Sequence, residues 1–263
     1  MSSWQKFRNL PYKPGQKTVY KISRSKIDLY VQCPRCFWLD TRLKISRPKG
    51  PPFTLNSAVD TLLKQEFDIH RASGKQHPLQ EAYGIDCKPV PHEKLNTWRQ
   101  NFTGVQAHHE PTNLLIFGAI DDLWQDKAGK FVVVDYKSTS KAGKIEELGN
   151  ETWHDQYRRQ LEIYQWLLRQ NGLPVSNTGY WVYCNAKKDN RAFDAKLEFE
   201  LTLLSYKGKD DWVEPTLQKI KDCLESDMPK ESADCEHCAY AKSRTQLTLE
   251  ALQSKPKKLY SDT

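Results

Sequence analysis

The chain has 263 residues, of which 38% are hydrophobic and 11% aromatic, a composition that excludes a disordered chain and allows one large domain or two small ones. No run of about 18 apolar residues occurs, and residues 1–6 lack the apolar core of a signal peptide. We therefore expect a cytoplasmic protein without a membrane partner. The net charge of +7 suits a polyanionic partner.

The pattern of prolines, glycines and apolar residues divides the chain into three parts. Residues 1–22 are predicted to form a flexible basic arm, residues 23–242 a single folded domain and residues 243–263 a polar tail. The predicted helices span residues 26–32 with Ser25 as N-cap, residues from Asn56 or Ser57 to Arg71, residues 152–170 and residues 211–224. The predicted strands span residues 102–107, 114–124, 131–137, 178–184 and 193–204, and residues 73–95 are predicted to be irregular.

The segment from Phe131 to Thr139 begins with four apolar residues and carries an acid and a lysine near its end. The apolar run is short, rich in β-branched residues and preceded by Gly129, which predicts a buried strand. Because side chains alternate along a strand, Asp135 and Lys137 point to the same face. The carboxylate can bind a metal ion, and the ammonium group can lie beside a reacting group. The simpler alternative is an ion pair at the end of a strand.

A second acid is predicted on the neighbouring strand. Residues 126–130 form a short turn, so the strand that carries Asp121 is an antiparallel neighbour of the strand that carries Asp135. Two carboxylates in a partly dry site repel each other unless a cation lies between them, and oxygen ligands suit Mg²⁺ or Mn²⁺. Asp122 points to the opposite face, so only one of these adjacent aspartates can be a ligand. Gly118 is expected to allow the close approach of another group.

Four of the seven cysteines form two C-x-x-C pairs, Cys33 with Cys36 and Cys235 with Cys238. Two such pairs can supply four thiolates to one metal centre. The alternative is a set of unrelated buried thiols. Because the chain carries no export signal, a metal site is expected rather than a disulfide framework. Such a site would join the two ends of the folded domain.

The sequence Gly118-Ala119-Ile120-Asp121, followed by Val134-Asp135-Tyr136-Lys137, resembles the G-x-x-D … D-x-K core of the PD-(D/E)XK nuclease superfamily. Three further stretches resemble its RecB-like branch, which includes the nuclease domains of RecB and AddB and the CRISPR-associated nucleases of spacer acquisition. They are the block with C-P-R-x-F-x-L at residues 25–39, the stretch Asn-Ser-Ala-Val-Asp at residues 56–60, which resembles the family's G-T-x-x-H helix start, and the Q-L-x-x-Y motif at residues 160–164.

The resemblance implies an α/β fold with a restriction-endonuclease-like core, in which a central mixed sheet carries the predicted hairpin and is flanked by helices. It also implies metal ligands and a catalytic residue on that hairpin. Asp121 and Asp135 would be metal ligands, and the Tyr136 carbonyl would be a third. Lys137 would be the catalytic lysine.

The resemblance also assigns roles to residues on two helices. Gln160 and Tyr164 are four residues apart, hence on one helix face, and would help to position the scissile strand. Asp60 stands where the family often has a metal-binding histidine. An aspartate also binds Mg²⁺, so Asp60 is a candidate ligand, with a changed charge and reach that leave lost activity or an altered metal preference open. His70 is an alternative that is expected to be a surface histidine.

For the cysteines, the resemblance implies a [4Fe–4S] cluster. Many RecB-like nucleases hold such a cluster through one early and three late cysteines, whereas this chain has two early and two late ones. Zn²⁺ is the alternative, because four thiolates bind either metal.

The implied function is a Mg²⁺- or Mn²⁺-dependent deoxyribonuclease, either an exonuclease or an enzyme directed to ends or single strands, in DNA repair, recombination or defence. The expected partners are DNA and a helicase or another repair or defence protein. An inactive nucleic-acid-binding module of the same fold and an RNA nuclease remain alternatives. Lys141, on a predicted loop, could contact phosphates, and Trp153 and Tyr157 could stack on unpaired bases. Lysines in loops are more often simply solvated, however, and aromatic residues on helices more often belong to the core.

Overall fold

In the computed structural model of the protein, residues 10–51 and 54–253 are described. Over these residues the chain forms eight strands and eight α-helices. The strands are β1 (Tyr20–Ser23), β2 (Cys87–Pro89), β3 (Val105–His109), β4 (Leu114–Gly118), β5 (Asp122–Asp126), β6 (Phe131–Thr139), β7 (Thr178–Ala186) and β8 (Phe199–Lys207). The helices are α1 (Arg24–Gln32), α2 (Pro34–Arg42), α3 (Thr54–Ser73), α4 (Pro78–Ala82), α5 (Leu95–Trp98), α6 (Thr152–Gln170), α7 (Val213–Glu225) and α8 (Glu236–Gln253). Within this described part, no helix has the length and apolar character needed to cross a membrane.

The strands form two sheets. The larger one has the order β2-β5-β6-β7-β8, and the smaller one has the order β1-β4-β3. The central strand β6 is antiparallel to β5 and parallel to β7. Helix α6 connects β6 to β7, as a crossover between parallel strands requires. The predicted central mixed sheet flanked by helices is confirmed.

Alternating residues of β6 belong to the cores on the two sides of the larger sheet. Val133 packs in the core that contains Leu161 of α6. Val132 and Val134 pack in the core that contains Phe67 of α3. The sheet is thus covered by a helix on each face, which explains why the start of β6 is entirely apolar.

Helix α6 has the boundaries that its sequence predicts. Its apolar residues Leu161, Ile163, Leu167 and Leu168 are fully buried, and its C-cap is Asn171. Gly172 follows with φ of +77°, a left-handed conformation that glycine adopts without strain and that ends helices. The helix therefore presents a fixed face to the centre of the larger sheet.

The predicted continuous strand over residues 114–124 is wrong, because the chain leaves one sheet and enters the other within it. Strand β4 ends at Gly118, and β5 begins at Asp122 in the larger sheet. Ile120 fixes the position of the segment between the two sheets, because its side chain is fully buried and its backbone N–H donates to the Trp98 carbonyl at 3.1 Å. Asp121 therefore lies in the link between two sheets rather than within a strand.

Several predicted boundaries also shift. The N-cap of α1 is Ser23 rather than Ser25, because the Ser23 hydroxyl accepts a hydrogen bond from the Lys26 backbone N–H at 3.3 Å. Helix α3 begins at Thr54, so neither Asn56 nor Ser57 is its cap. Strand β8 begins at Phe199 rather than near residue 193, since positive φ angles at residues 194 and 195 are incompatible with a strand. The segment 73–95, predicted to be irregular, contains α4 and β2.

The described parts of the predicted arm and tail, residues 10–22 and 243–253, include regular structure and buried contacts. Tyr12 is buried, and its hydroxyl donates to the Glu225 carboxylate of α7. Residues 20–23 form β1, and residues 243–253 continue α8, none of whose side chains is buried. The remaining parts of the predicted arm and tail, residues 1–9 and 254–263, lie outside the described residues.

Candidate active site

The end of β6 carries the acid and the lysine on the same face. Asp135 is fully buried, and its carboxylate contacts the Lys137 ammonium group directly. The Lys137 side chain is 14% exposed, so one edge of this pair reaches the surface. The two side chains face α6, while Tyr136 between them faces α3.

Asp121 reaches this pair from the link between β4 and β5. Its Oδ2 accepts a hydrogen bond from the Tyr136 backbone N–H at 3.0 Å. Gly118 precedes it at a point of close approach, since a Cβ atom there would lie 2.7 Å from the Tyr164 ring. The structure therefore brings Asp121 to the end of β6, as the motif predicts, although it does so without the continuous hairpin.

Gln160 and Tyr164 of α6 complete a hydrogen-bonded group with Asp135. The Gln160 side-chain amide donates to Asp135 Oδ1 at 2.7 Å and to the Tyr164 hydroxyl at 3.1 Å. Its carbonyl oxygen accepts from Lys137 Nζ at 3.3 Å. Because Gln160 contacts both residues of the pair, it fixes the relative positions of the carboxylate and the ammonium group.

Asp60 enters the site from α3 together with a residue that the motifs do not mark. Lys64, one helical turn later, lies 2.8 Å from Asp60 Oδ2 and 3.3 Å from Asp121 Oδ1. Its ammonium group therefore lies between two carboxylates. His70, the alternative candidate, hydrogen-bonds the Gln76 carbonyl at 2.9 Å through Nδ1.

Burial and mutual repulsion destabilise the charged forms of two carboxylates at this site, those of Asp135 and Asp60. Burial, together with the charge of Asp121, raises the pKa of Asp135 to about 7, even though Lys137 acts in the opposite direction. Burial and the charge of Asp121 also raise the pKa of Asp60. A bound cation would relieve this repulsion. Burial opposes the charge of Lys137, but the carboxylates of Asp135 and Asp121 outweigh it and raise the pKa of Lys137.

The donor set fits a hard divalent cation held by few protein ligands. Mg²⁺ is usually bound by one or two carboxylates, with waters and substrate phosphate oxygens as further ligands, and Asp121 and Asp135 offer such a pair. The acids do not form a closed cage. In residues 10–51 and 54–253, only the four cysteines bring three or more potential ligand atoms within 4.8 Å of one another.

Asp122 has a structural environment that differs entirely from that of Asp121. It is fully buried and accepts hydrogen bonds from Arg99 at 2.8 Å, from the Tyr136 hydroxyl at 2.8 Å and from the Trp124 indole at 3.0 Å. Arg71 of α3 also contacts it. Since its oxygens are paired within the protein, Asp122 is the aspartate of the two that faces away from the site.

The four cysteines come together as predicted. Cys33 and Cys36 lie at the start of α2, and Cys235 and Cys238 lie at the start of α8. The sulfur of Cys36 is 3.6 Å from that of Cys235 and 3.5 Å from that of Cys238, and the Cys33 and Cys238 sulfurs are 3.8 Å apart. Burial opposes ionisation of Cys33, but backbone hydrogen bonds with Ser232 and Cys36 lower its pKa to about 6. The group can therefore bind a metal and joins the N-terminal and C-terminal regions.

Sequence reasoning missed Lys64, Arg71 and Arg99. Lys64 and Arg71 follow Asp60 on α3 by four and eleven residues. Asp60, Lys64 and Arg71 therefore lie on one face of this helix. This periodic spacing of charged residues on a partly apolar helix is the sequence pattern that could have identified Lys64 and Arg71 as site residues. Arg99 directly follows the short helix α5 as its C-cap, and its position relative to Asp122 depends on the tertiary fold.

Comparison with known proteins agrees with this geometry. Residues 76–243 match the family model described as PD-(D/E)XK nuclease superfamily. This match covers more than half of the chain, and the chain therefore belongs to that superfamily. The match contains Asp121, Asp135, Lys137, Gln160 and Tyr164.

The solved crystal structure of SSO0001 is similar to the chain. The similarity covers 86% of each chain with 15% sequence identity and a TM-score of 0.42. No curated protein sequence matches the chain.

Proposed function

We propose that the protein is a divalent-metal-dependent nuclease of the RecB-like branch that hydrolyses phosphodiester bonds in DNA. The observation that carries the proposal is the contact of Gln160 with both Asp135 and Lys137, at 2.7 and 3.3 Å. A buried acid and lysine that only closed a strand would not need an amide to set their spacing. Here three side chains from β6 and α6 form one rigid group beside Asp121.

Each side chain has a distinct task in this proposal. A divalent ion held by Asp121 and Asp135 would polarise the phosphodiester and lower the pKa of the attacking water. Lys137 remains protonated, because its pKa is raised, and so offers a fixed positive charge to the phosphate as negative charge develops on it. Gln160 and Tyr164 hold Asp135 in place and thereby keep the carboxylate aimed at the substrate.

The test compares cleavage by the wild type and two site variants in Mg²⁺ or Mn²⁺. Single-stranded, duplex and forked DNA and matched RNA are the substrates. Asp135→Asn and Lys137→Ala are expected to lower the cleavage rate by at least about 100-fold, as loss of a transition-state contact does. Lys127→Ala is the matched control, since this exposed lysine lies at the opposite end of the same hairpin.

One observation favours an inactive binding module as the second candidate. Lys64 already supplies a positive charge to Asp60 and Asp121. This charge offsets part of the repulsion between the carboxylates that a metal ion would otherwise neutralise. Nucleic-acid binding without turnover of any substrate by the wild type would decide for that candidate. Equal or faster cleavage of RNA would decide against DNA as the preferred substrate.

We also propose that the four cysteines hold one Zn²⁺ ion. A tetrahedral zinc with Zn–S bonds of about 2.3 Å separates its sulfurs by about 3.8 Å, and three pairs of these sulfurs lie 3.5, 3.6 and 3.8 Å apart. A [4Fe–4S] cluster, which the family resemblance implies, places a core of iron and sulfide between its thiolates and needs them farther apart. The sulfur spacing thus supports a single ion that ties α2 to α8.

A further inference from the structure

A cavity of about 310 Å³ adjoins the proposed catalytic lysine. It begins at Ser138 and Thr139, the last residues of β6, and the opening of α6 forms another wall. Its ring side chains are Trp153, His154, Tyr157 and Tyr183, and the His154 ring packs against Trp153 with the ring centres 3.5 Å apart. The volume lies near the lower end of the range of about 300–1,000 Å³ for small-molecule pockets, so the cavity can hold one planar heterocycle.

Two residues that line the cavity, Tyr157 and Tyr183, are also neighbours of Lys137 in the active site. The Lys137 ammonium group lies 4.5 Å from the centre of the Tyr157 ring. Tyr183 on β7 pairs with Lys137 on the parallel strand β6, so the two side chains lie on the same face of the sheet. Thr139 is two residues beyond Lys137, about 7 Å along the strand, which is a distance that one extended nucleotide can cover.

The walls combine ring surface with a hydrogen-bonding group that has no partner. Trp153 is 36% exposed, with the Lys141 ammonium group 4.6 Å from the centre of its ring, and it meets the Tyr157 ring at 5.5 Å in an edge contact. Tyr183 is only 3% exposed, and its buried hydroxyl makes no hydrogen bond within the described residues. A buried hydroxyl without a partner is unfavourable, so a ligand with a polar edge would gain from pairing with it.

The charges around the cavity argue against a phosphate as its ligand. Lys141 and Lys144 line it together with Glu146 and Glu147, so the positive and negative side chains balance. A phosphate would need an excess of positive charge. An uncharged aromatic ring with hydrogen-bonding edges fits both the stacking surface and the unpaired hydroxyl.

We propose that this cavity binds one unstacked nucleobase of the substrate strand, next to the phosphodiester that lies at Lys137. The proposal rests on the proposed nuclease function. A base that enters the cavity has left its stack and its pair, so single strands and frayed ends bind better than a closed duplex. Stacking on aromatic side chains gives little sequence preference, because every base has a ring face.

The test measures binding of short DNA strands to the full chain in buffer without divalent ions, so that no cleavage occurs. Each strand is offered intact and with a single abasic position that is moved along it. We expect one abasic position to weaken binding to the wild type by about 10- to 100-fold, as loss of one stacked base does. Trp153→Ala is expected to weaken binding of the intact strand by a similar factor and to abolish the difference between intact and abasic strands.

Tyr183→Phe removes only the unpaired hydroxyl and is expected to weaken binding of the intact strand by a smaller factor than Trp153→Ala does, while the difference between intact and abasic strands remains. Tyr240→Ala removes an aromatic side chain that is 66% exposed on α8 and is expected to leave binding unchanged. A Trp153→Ala protein that still discriminates the abasic strand overturns the proposal, as does a wild type that never discriminates it. Cleavage in Mn²⁺ is measured separately, so loss of the nuclease proposal alone would leave the abasic discrimination in place.

Discussion

The Lys64 ammonium group lies 3.3 Å from Oδ1 of Asp121 and also contacts Asp60. An internal cation therefore already occupies the space between two acids at the proposed active site. A metal ion that uses Asp121 as a ligand has to compete with Lys64 for the negative charge of this carboxylate. The site is consequently expected to bind divalent ions more weakly than its acidic residues alone would allow.

Lys64→Met tests this competition directly. The variant keeps the length of the side chain and removes its charge, so we expect Mn²⁺ to bind about tenfold more tightly, a change of about 1.4 kcal/mol. Isothermal titration with Mn²⁺ measures the affinity and the number of ions per chain. Lys75→Met, at an exposed position after α3, is the control, and weaker or unchanged binding by the Lys64 variant would contradict the competition.

The identity of the metal at the four cysteines can be read from the purified protein. We expect one zinc ion per chain and no absorbance near 400 nm, roughly where iron–sulfur clusters absorb. Cys36→Ser is expected to lose the metal and to lower the thermal unfolding midpoint, because α2 and α8 are no longer joined. Cys223→Ser, which changes a cysteine outside the group, should keep both properties. A brown protein with four irons per chain would show that the sulfurs move apart around a cluster.

Asp122 is predicted to be a major contributor to stability. It is the shared partner of Arg71 and Arg99, and all three side chains are buried. Asp122→Asn removes the buried counter-charge of two guanidinium groups, which keep only the partly exposed carboxylate of Asp68 as a partner, so we expect the free energy of unfolding to fall by about 3 kcal/mol. Urea unfolding followed by circular dichroism measures the loss. Asp86→Asn, which breaks an exposed pair with Lys127, should cost at most about 1 kcal/mol.

Glu225 is predicted to make the stability depend on pH. Burial opposes its charge, but hydrogen bonds from Lys221, Tyr12 and the Gly15 backbone hold the pKa of Glu225 at about 2, below an ordinary value of about 4.3. Its contribution is therefore fully present above pH of about 4.3 and is lost as the pH falls toward 2.

We expect Glu225→Gln to lower the thermal midpoint at pH 7, with a difference from the wild type that narrows at pH 3. Scanning calorimetry at several pH values measures both midpoints. Glu81→Gln, an exposed glutamate on α4, should give no pH-dependent difference. A gap that stays constant down to pH 3 would mean that packing, and not the carboxylate charge, attaches the N-terminal segment to α7.

The parts of the fold that local patterns determine were predictable from the sequence. The apolar start of β6 and the helical period of α6 are strong local signals, and each places its polar residues on a defined face. The shared face of Asp135 and Lys137 follows from strand geometry alone. The shared face of Gln160 and Tyr164 follows from the helical repeat.

The remainder depends on contacts between distant segments, which a local pattern does not contain. The crossing at Ile120 arises because its backbone N–H donates to the carbonyl of Trp98, the last residue of α5, although residues 114–124 look like one strand. The pairing of Asp122 with Arg71 and Arg99 likewise joins three separate elements. For the same reason, the sequence identified Asp60 as a departure from the family motif but did not reveal that Asp60 forms an ion pair with Lys64.

The cysteine group also sets an order of events during synthesis of the protein. Cys33 and Cys238 are 205 positions apart in the chain. At about 5–20 residues per second, the ribosome takes roughly 10–40 s to add the residues between them. During that interval the first two thiols hold at most an incomplete coordination shell, and the metal can be fully enclosed only when α8 has emerged. A helix that is made late thus completes a site that the start of α2 began 205 residues earlier.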